Sequence, residues 1–251
     1  MTIRPTAKII YLKDRNLRMS KKDLLLRHPL RGLGYENEDI LSPGGFGAVL
    51  ARAGVGKTAL LVQLALNNML RGMNVLHVSL NDPVGKVVLW YEELFHHLAE
   101  EHQVDRMKVL WEDILPHRFI LTFKVEGFSV PRLEERLGDL MEQGIFRPEM
   151  MIIDGCKFDD DIRGDLQGFK VLAAKHGMRL WFTVPIHRHV EEGREGMPVP
   201  MMKVEDLFEL VLLLSTEKGE TQIRALKSRV AVDHSPVFVL DPASMLVKNA
   251  S

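Results

Sequence analysis

The segment ARAGVGKTALL, Ala51 to Leu61, closes one apolar run and opens another. It matches the phosphate-loop pattern Gly-x4-Gly-Lys-Ser/Thr at every fixed position except the first, where Ala51 replaces glycine. A methyl group fits there because the predicted strand, residues 48–52, is ending at that point. Residues 59–71 are apolar almost all round, which predicts a buried helix. The segment therefore predicts a strand–loop–helix unit.

The residue types in this loop suit phosphate binding. Small side chains let backbone N–H groups point inward, and the helix that follows aims its positive end at the same place. Lys57 supplies a charge for phosphate oxygens, and the Thr58 hydroxyl is a ligand that Mg²⁺ accepts. The residues predicted to bind nucleotide are Ala53, Gly54, Val55, Gly56, Lys57, Thr58 and Ala59.

A second acidic element fits the same chemistry. The segment MMIIDG, residues 150–155, is an apolar strand pattern that ends in Asp154. In open α/β sheets, ligands bind at the carboxyl ends of the strands. We therefore predict that Thr58 and Asp154 hold Mg²⁺.

The rest of the chain alternates between helix and strand patterns and finishes with strands only. This order predicts an α/β fold with a mainly parallel central sheet, flanked by helices and extended by a C-terminal antiparallel part. The predicted helices are 84–101, 106–114, 130–143 and 166–176. The predicted strands are 74–80, 118–123, 150–154, 179–186, 209–215, 221–229 and 236–241.

Residues 1–41 differ from the α/β domain, which we place at 42–251. Up to Tyr35 this arm holds nine Lys and Arg residues but only two aspartates. The segment SKKDLLLRHP predicts a short helix capped by Ser20 and stopped by Pro29. Two interpretations remain open: a solvated terminus, or an arm that docks on a neighbouring subunit or an acidic protein partner.

The composition narrows the class of protein. The 251 residues carry a formal net charge of −1, which disfavours a protein that coats a polyanion. The single cysteine, Cys156, excludes an internal disulfide framework and indicates a reducing compartment. No apolar run is long enough to span a bilayer, so we expect a cytoplasmic protein.

The order of these motifs resembles the RecA-like ATPases, in particular the replicative-helicase (DnaB-type) and circadian-clock (KaiC-type) branches. The resemblance covers residues 42–251 and implies a RecA-like P-loop fold, ATP and Mg²⁺ as ligands, ATP hydrolysis, and a head-to-tail homo-oligomer. The segments that carry it are GGFGAVLARAGVGKT (44–58), NVLHVSLND (74–82), MMIIDG (150–155) and LKSRVAVDHSPVFVLD (226–241).

The resemblance also implies roles for residues outside the loop. Lys227 and Arg229 match a Lys-x-Arg pair that reaches the γ-phosphate bound by a neighbouring subunit. Asn81 stands where the family has its catalytic glutamate, and Asp82 stands where the clock branch has a second one. Pro185 replaces a γ-phosphate-sensing glutamine. These departures predict retained nucleotide binding and slow hydrolysis, with Lys57, Asp82, Lys227 and Arg229 as the catalytic residues.

Three functional classes follow. We favour an ATPase whose nucleotide state controls oligomerisation or partner binding, over a nucleic-acid motor and a small-molecule kinase. The loop 187–203 is neutral and has no aromatic residue, whereas a loop that tracks a phosphate backbone is basic and uses stacking side chains. No arginine-rich lid follows the acidic strand, which disfavours the kinase. His187 and His189 lack further ligands at metal-site spacing.

Overall fold

A computed structural model gives the structure of the chain, and it describes residues 28–33, 40–102, 104, 106–159, 161–186, 193, 197–229 and 238–249. The helix predicted after Ser20 begins outside these ranges. The histidine pair at 187 and 189 and most of the neutral loop also lie outside them.

Nine strands and six α-helices are described. The strands are β1 Phe46–Ala51, β2 Val75–Ser79, β3 Arg118–Thr122, β4 Met150–Asp154, β5 Arg179–Pro185, β6 Leu210–Glu217, β7 Glu220–Lys227, β8 Phe238–Leu240 and β9 Val247–Asn249. The helices are α1 Lys57–Leu70, α2 Val84–Glu101, α3 Met107–Ile114, α4 Val130–Glu142, α5 Ile162–His176 and α6 Val199–Met202.

All nine strands form one sheet in the order β3-β2-β4-β5-β1-β6-β7-β8-β9. The pairs from β3 to β6 are parallel, and β6 to β9 pair antiparallel. The predicted α/β fold, with a mainly parallel sheet and a C-terminal antiparallel extension, is confirmed. Because β5 separates β1 from β4, the loop after β1 and the acid that ends β4 are two strands apart.

Helices cover both faces of the sheet. Alternate residues of a strand point to opposite faces, so each buried strand contributes side chains to two cores. In β1, Val49 and Ala51 pack into the core that contains α1, α2 and α3. Phe46, Ala48 and Leu50 pack into the core that contains α4 and α5. The near-continuous apolar runs of the parallel strands follow from this double burial.

Among the differences from the sequence prediction, one strand boundary and two short elements have identifiable reasons. The strand predicted over 221–229 ends at Lys227, which is opposite Val211 near the start of β6, so residues beyond it have run past their partner strand. The neutral loop contains the four-residue α6, which begins after Pro198. The strand β9, three residues long, is too short for its periodicity to predict it.

Part of the predicted N-terminal arm packs on the domain. Leu30, Leu33, Ile40 and Leu41 are buried in the same core as α1. The Nε atom of Arg179 also donates a hydrogen bond of 2.9 Å to the carbonyl oxygen of Leu41. These contacts place the four leucine and isoleucine side chains in the domain core and join Leu41 to the start of β5.

The longest described helix is α2, which has 18 residues and one apolar face. Acidic residues occupy much of its other surface, including Glu92, Glu93 and Glu100. Within the described ranges, no helix combines the length and the apolarity needed to cross a membrane.

Candidate functional site

The carboxyl ends of four parallel strands meet at one edge of the sheet. Ala51, the last residue of β1, pairs with Pro185, the last residue of β5. Ser79, which ends β2, pairs with Asp154, which ends β4. The predicted phosphate loop, the predicted acid and the Pro185 position therefore share this edge, as the parallel topology requires.

The loop between β1 and α1 is open on one side. Gly54 and Gly56 have φ angles of 78° and 107°, which L side chains rarely adopt. A Cβ at Gly54 would meet no atom within 4 Å, so its outer side is free space. A Cβ at Gly56 would overlap the Leu240 side chain, because the C-terminal hairpin packs against the loop. Small residues at these positions leave a concave loop at the start of α1.

The Lys57 side chain bonds to the backbone at the start of this loop. Its Nζ atom donates hydrogen bonds of 2.9 Å to the carbonyl oxygens of Ala51 and Arg52. Burial lowers the pKa of the Lys57 ammonium, and the nearby Asp154 carboxylate partly offsets this effect. The lysine thus places a cation beside the loop backbone.

Asp154 connects the loop to two strands. Its Oδ2 atom accepts a hydrogen bond of 2.9 Å from the Thr58 hydroxyl, and its Oδ1 atom accepts one of 2.7 Å from the Thr183 hydroxyl of β5. Burial by itself would raise the pKa of Asp154. The His77 imidazole and the two threonine hydroxyls outweigh burial, so the pKa lies below its usual range. The group is therefore an ionised carboxylate at neutral pH.

A buried polar group lies behind this carboxylate. The Nε2 atom of His77, in β2, is 3.7 Å from Oδ2 of Asp154, and its Nδ1 atom is 3.1 Å from the Tyr91 hydroxyl of α2. The sequence analysis missed His77 and Thr183 because each lies inside an apolar strand and resembles a core residue there. The detectable signal was polarity within an apolar strand. His77 lies two residues before Ser79 and Thr183 two residues before Pro185, so each points to the same face of the sheet as the last residue of its strand.

Asn81 and Asp82 follow β2 and differ in their surroundings. Asn81 is exposed, and a Cβ at Gly155 would overlap its amide, so this side chain lies against the backbone that follows Asp154. The Asp82 carboxylate pairs with Lys86 in the first turn of α2 at 2.9 Å. The position that the resemblance assigns to a catalytic glutamate is therefore next to the acidic strand end.

Lys227 and Arg229 lie at the opposite edge of the sheet. Lys227 donates a 2.6 Å hydrogen bond to the carbonyl oxygen of Glu205, and Arg229 is 3.4 Å from the Glu209 carboxylate. The backbone N–H of Glu209 bonds to the carbonyl oxygen of Phe46, at the amino end of β1. Five residue steps of β1 place this end about 16 Å from the phosphate loop.

The metal-ligand set would be small. The described residues include no group of three or more His, Cys, Asp or Glu side chains that could hold a metal ion. One threonine hydroxyl and one carboxylate suit Mg²⁺, which keeps several water molecules and takes oxygen ligands from phosphates. The residues present therefore fit Mg²⁺ bound together with a nucleotide.

Cys156, two residues after Asp154, is buried and is predicted to be inert. Burial, with the Asp165 and Asp159 carboxylates, raises the pKa of its thiol to about 12. Because the thiolate is the reactive form, a disulfide reagent should modify the folded protein at least ~10-fold more slowly than the unfolded protein. As this is the only cysteine, absorbance of the released thiol reports on it alone. Equal rates before and after unfolding would contradict this prediction.

No family model and no curated protein matches the chain. The site is therefore defined by its own geometry. Lys57, Thr58 and Asp154 come together as the sequence predicted, and Asn81 lies beside them. Arg229 does not join them within one subunit.

Proposed function

We propose that this chain is a RecA-like P-loop protein that binds Mg·ATP and hydrolyses it slowly. The observation that carries the proposal is the 2.9 Å hydrogen bond from the Thr58 hydroxyl to Asp154, beside the Lys57 ammonium. It links the loop to the acidic strand end although β5 separates their strands. A hydroxyl that donates a hydrogen bond to a carboxylate keeps its oxygen lone pairs available for a cation.

Each residue has a definite task in this proposal. The loop backbone and Lys57 bind the phosphates, the Thr58 oxygen binds the metal, and Asp154 holds the metal directly or through water. Mg²⁺, when bound, supplies positive charge that neutralises the phosphate oxygens. The chain itself supplies orientation, because Asp154 is fixed by hydroxyl groups on both of its oxygens.

We further propose that nucleotide controls assembly of a head-to-tail homo-oligomer. In this arrangement, Lys227 and Arg229 of one subunit reach the nucleotide of the next. Their place at the amino edge of the sheet supports action between subunits, since they lie far from their own loop. The proposed protein is thus a nucleotide-dependent assembly or partner-binding ATPase.

Lys57→Ala tests the binding site. The variant is expected to bind a fluorescent ATP analogue at least ~10-fold more weakly, because a charge-assisted interaction with phosphate is lost. Fluorescence titration with Mg²⁺ present gives the dissociation constants. Lys175→Ala is the matched control, since Lys175 is exposed and pairs with Glu134 on α4. Equal affinity in Lys57→Ala and the wild type would show that the loop binds no nucleotide.

Asn81 is the proposed cause of slow turnover. The wild type should hydrolyse ATP well below ~10 s⁻¹, a typical enzyme rate, because an amide cannot accept the proton of the attacking water. Asn81→Glu should raise the rate, and Asp82→Asn should remove the activity that remains. The rate of phosphate release gives the hydrolysis rate of the wild type and of each variant. A wild-type rate near ~10 s⁻¹, or undiminished activity in Asp82→Asn, would contradict this explanation.

A further inference from the structure

A polar side chain is buried directly behind the site carboxylate. His77 is fully buried in β2, where neighbouring positions are apolar, and Nε2 has no hydrogen-bond partner within normal distance. This nitrogen faces Oδ2 of Asp154 at 3.7 Å. Burying a polar atom without a hydrogen-bond partner costs free energy, and a leucine or valine at this position would avoid that cost. The arrangement points to a role for the imidazole in the site.

The other ring nitrogen fixes the direction of the imidazole. The Tyr91 hydroxyl lies 3.1 Å from Nδ1 and is itself fully buried. The Arg118 guanidinium lies over the Tyr91 ring, 4.8 Å from its centre, and helps to hold that ring in place. The ring of His77 therefore lies between the Tyr91 hydroxyl of α2 and the Asp154 carboxylate.

The Asp154 carboxylate favours one tautomer of the ring, and the Tyr91 hydroxyl is compatible with it. A protonated hydroxyl can donate to Nδ1, which leaves the hydrogen of the neutral imidazole on Nε2. That N–H points at the carboxylate. The opposite tautomer would place a lone pair against the carboxylate, which is repulsive. The charge of Asp154 thus favours the tautomer with the hydrogen on Nε2, and the Tyr91 hydroxyl can donate to the Nδ1 lone pair that this tautomer leaves.

We propose that His77, oriented by Tyr91, is a positioning residue that holds the Asp154 carboxylate in its metal-binding orientation. This inference rests on the proposed function, because it requires Asp154 to hold Mg²⁺. The Nε2–H group would support the oxygen that also accepts the Thr58 hydroxyl, and Thr183 would support the other oxygen. Residues that support a metal-binding carboxylate in this way commonly affect metal affinity 10- to 100-fold.

The test separates metal affinity from nucleotide affinity. A fluorescent ATP analogue is titrated with Mg²⁺ at fixed nucleotide, and separately in EDTA without metal. His77→Leu is expected to raise the Mg²⁺ concentration needed for half-saturation by ~10- to 100-fold and to leave metal-free nucleotide affinity unchanged. His77→Gln, which keeps an N–H donor, should recover part of the loss.

Two further variants keep the test decisive. Tyr91→Phe removes only the orienting hydroxyl. It should raise the Mg²⁺ concentration needed for half-saturation by about threefold or more, and it can be measured even where His77→Leu fails to fold. His96→Leu is the matched control, because His96 is 52% exposed on α2. Unchanged Mg²⁺ dependence in folded His77→Leu, or in Tyr91→Phe, would overturn the inference. A wild type that binds no nucleotide would instead overturn the proposed function.

Discussion

Phe182→Ala is expected to lower the free energy of unfolding by about 3–5 kcal/mol. Phe182 is fully buried in β5, and its ring centre lies between 5.1 and 6.2 Å from four other phenylalanine rings. Truncation removes these contacts and leaves a cavity lined by rings from four segments, namely β1, α5 and two loops. The surrounding rings cannot collapse into it, because they are anchored on separate strands, helices and loops.

Urea denaturation followed by circular dichroism measures the change. Val171→Ala is the matched control: Val171 lies on α5, near the same core, but is 70% exposed, and its truncation should change stability by less than about 0.5 kcal/mol. A loss below about 1 kcal/mol in Phe182→Ala would contradict the packing described here. The next residue, Thr183, bonds to Asp154, so this core also supports the site.

Most of the fold could be predicted from the sequence, because parallel strands are buried on both faces and therefore form near-continuous apolar runs. MMIID gave a strand with its observed bounds, 150–154, and helix 84–101 was also predicted at its observed bounds. The glycine at 56, in a left-handed conformation, explains why α1 begins at Lys57, two residues before the predicted start. Short elements such as α6 and β9 lack a periodic signal, because they have four and three residues; β9 is defined by its pairing with β8.

The candidate site was predictable only where residues carry their chemistry in a local pattern. Lys57, Thr58 and Asp154 were identified in this way. The polarity of His77 and Thr183 distinguishes them from their apolar neighbours, but their connection to Asp154 became visible only through the pairing of β2, β4 and β5. Strand order is a non-local property, and no local pattern encodes which strand lies beside Asp154.

Arg229→Ala is expected to abolish nucleotide-dependent assembly and to leave nucleotide binding by each subunit nearly unchanged. This prediction rests on the proposed function, in which Arg229 reaches the γ-phosphate of a neighbouring subunit. Within its own subunit the guanidinium pairs with Glu209, which bonds to the amino end of β1, and the length of that strand, about 16 Å, separates this end from the loop. One edge of the sheet gives the arginine and the other holds the nucleotide, which requires a head-to-tail interface that closes into a ring or continues as a filament.

Light scattering with Mg²⁺ measures this effect. The wild type should form a larger species with a non-hydrolysable ATP analogue than with ADP or without nucleotide, and Arg229→Ala should show one size in all three. Arg163→Ala is the matched control, because Arg163 is also an exposed arginine in an ion pair, with Asp206 at 2.7 Å. If both variants lose assembly, general surface charge drives association. If the wild type stays monomeric in every nucleotide state, the arginine has no neighbouring subunit to reach, and its proposed role in assembly is overturned.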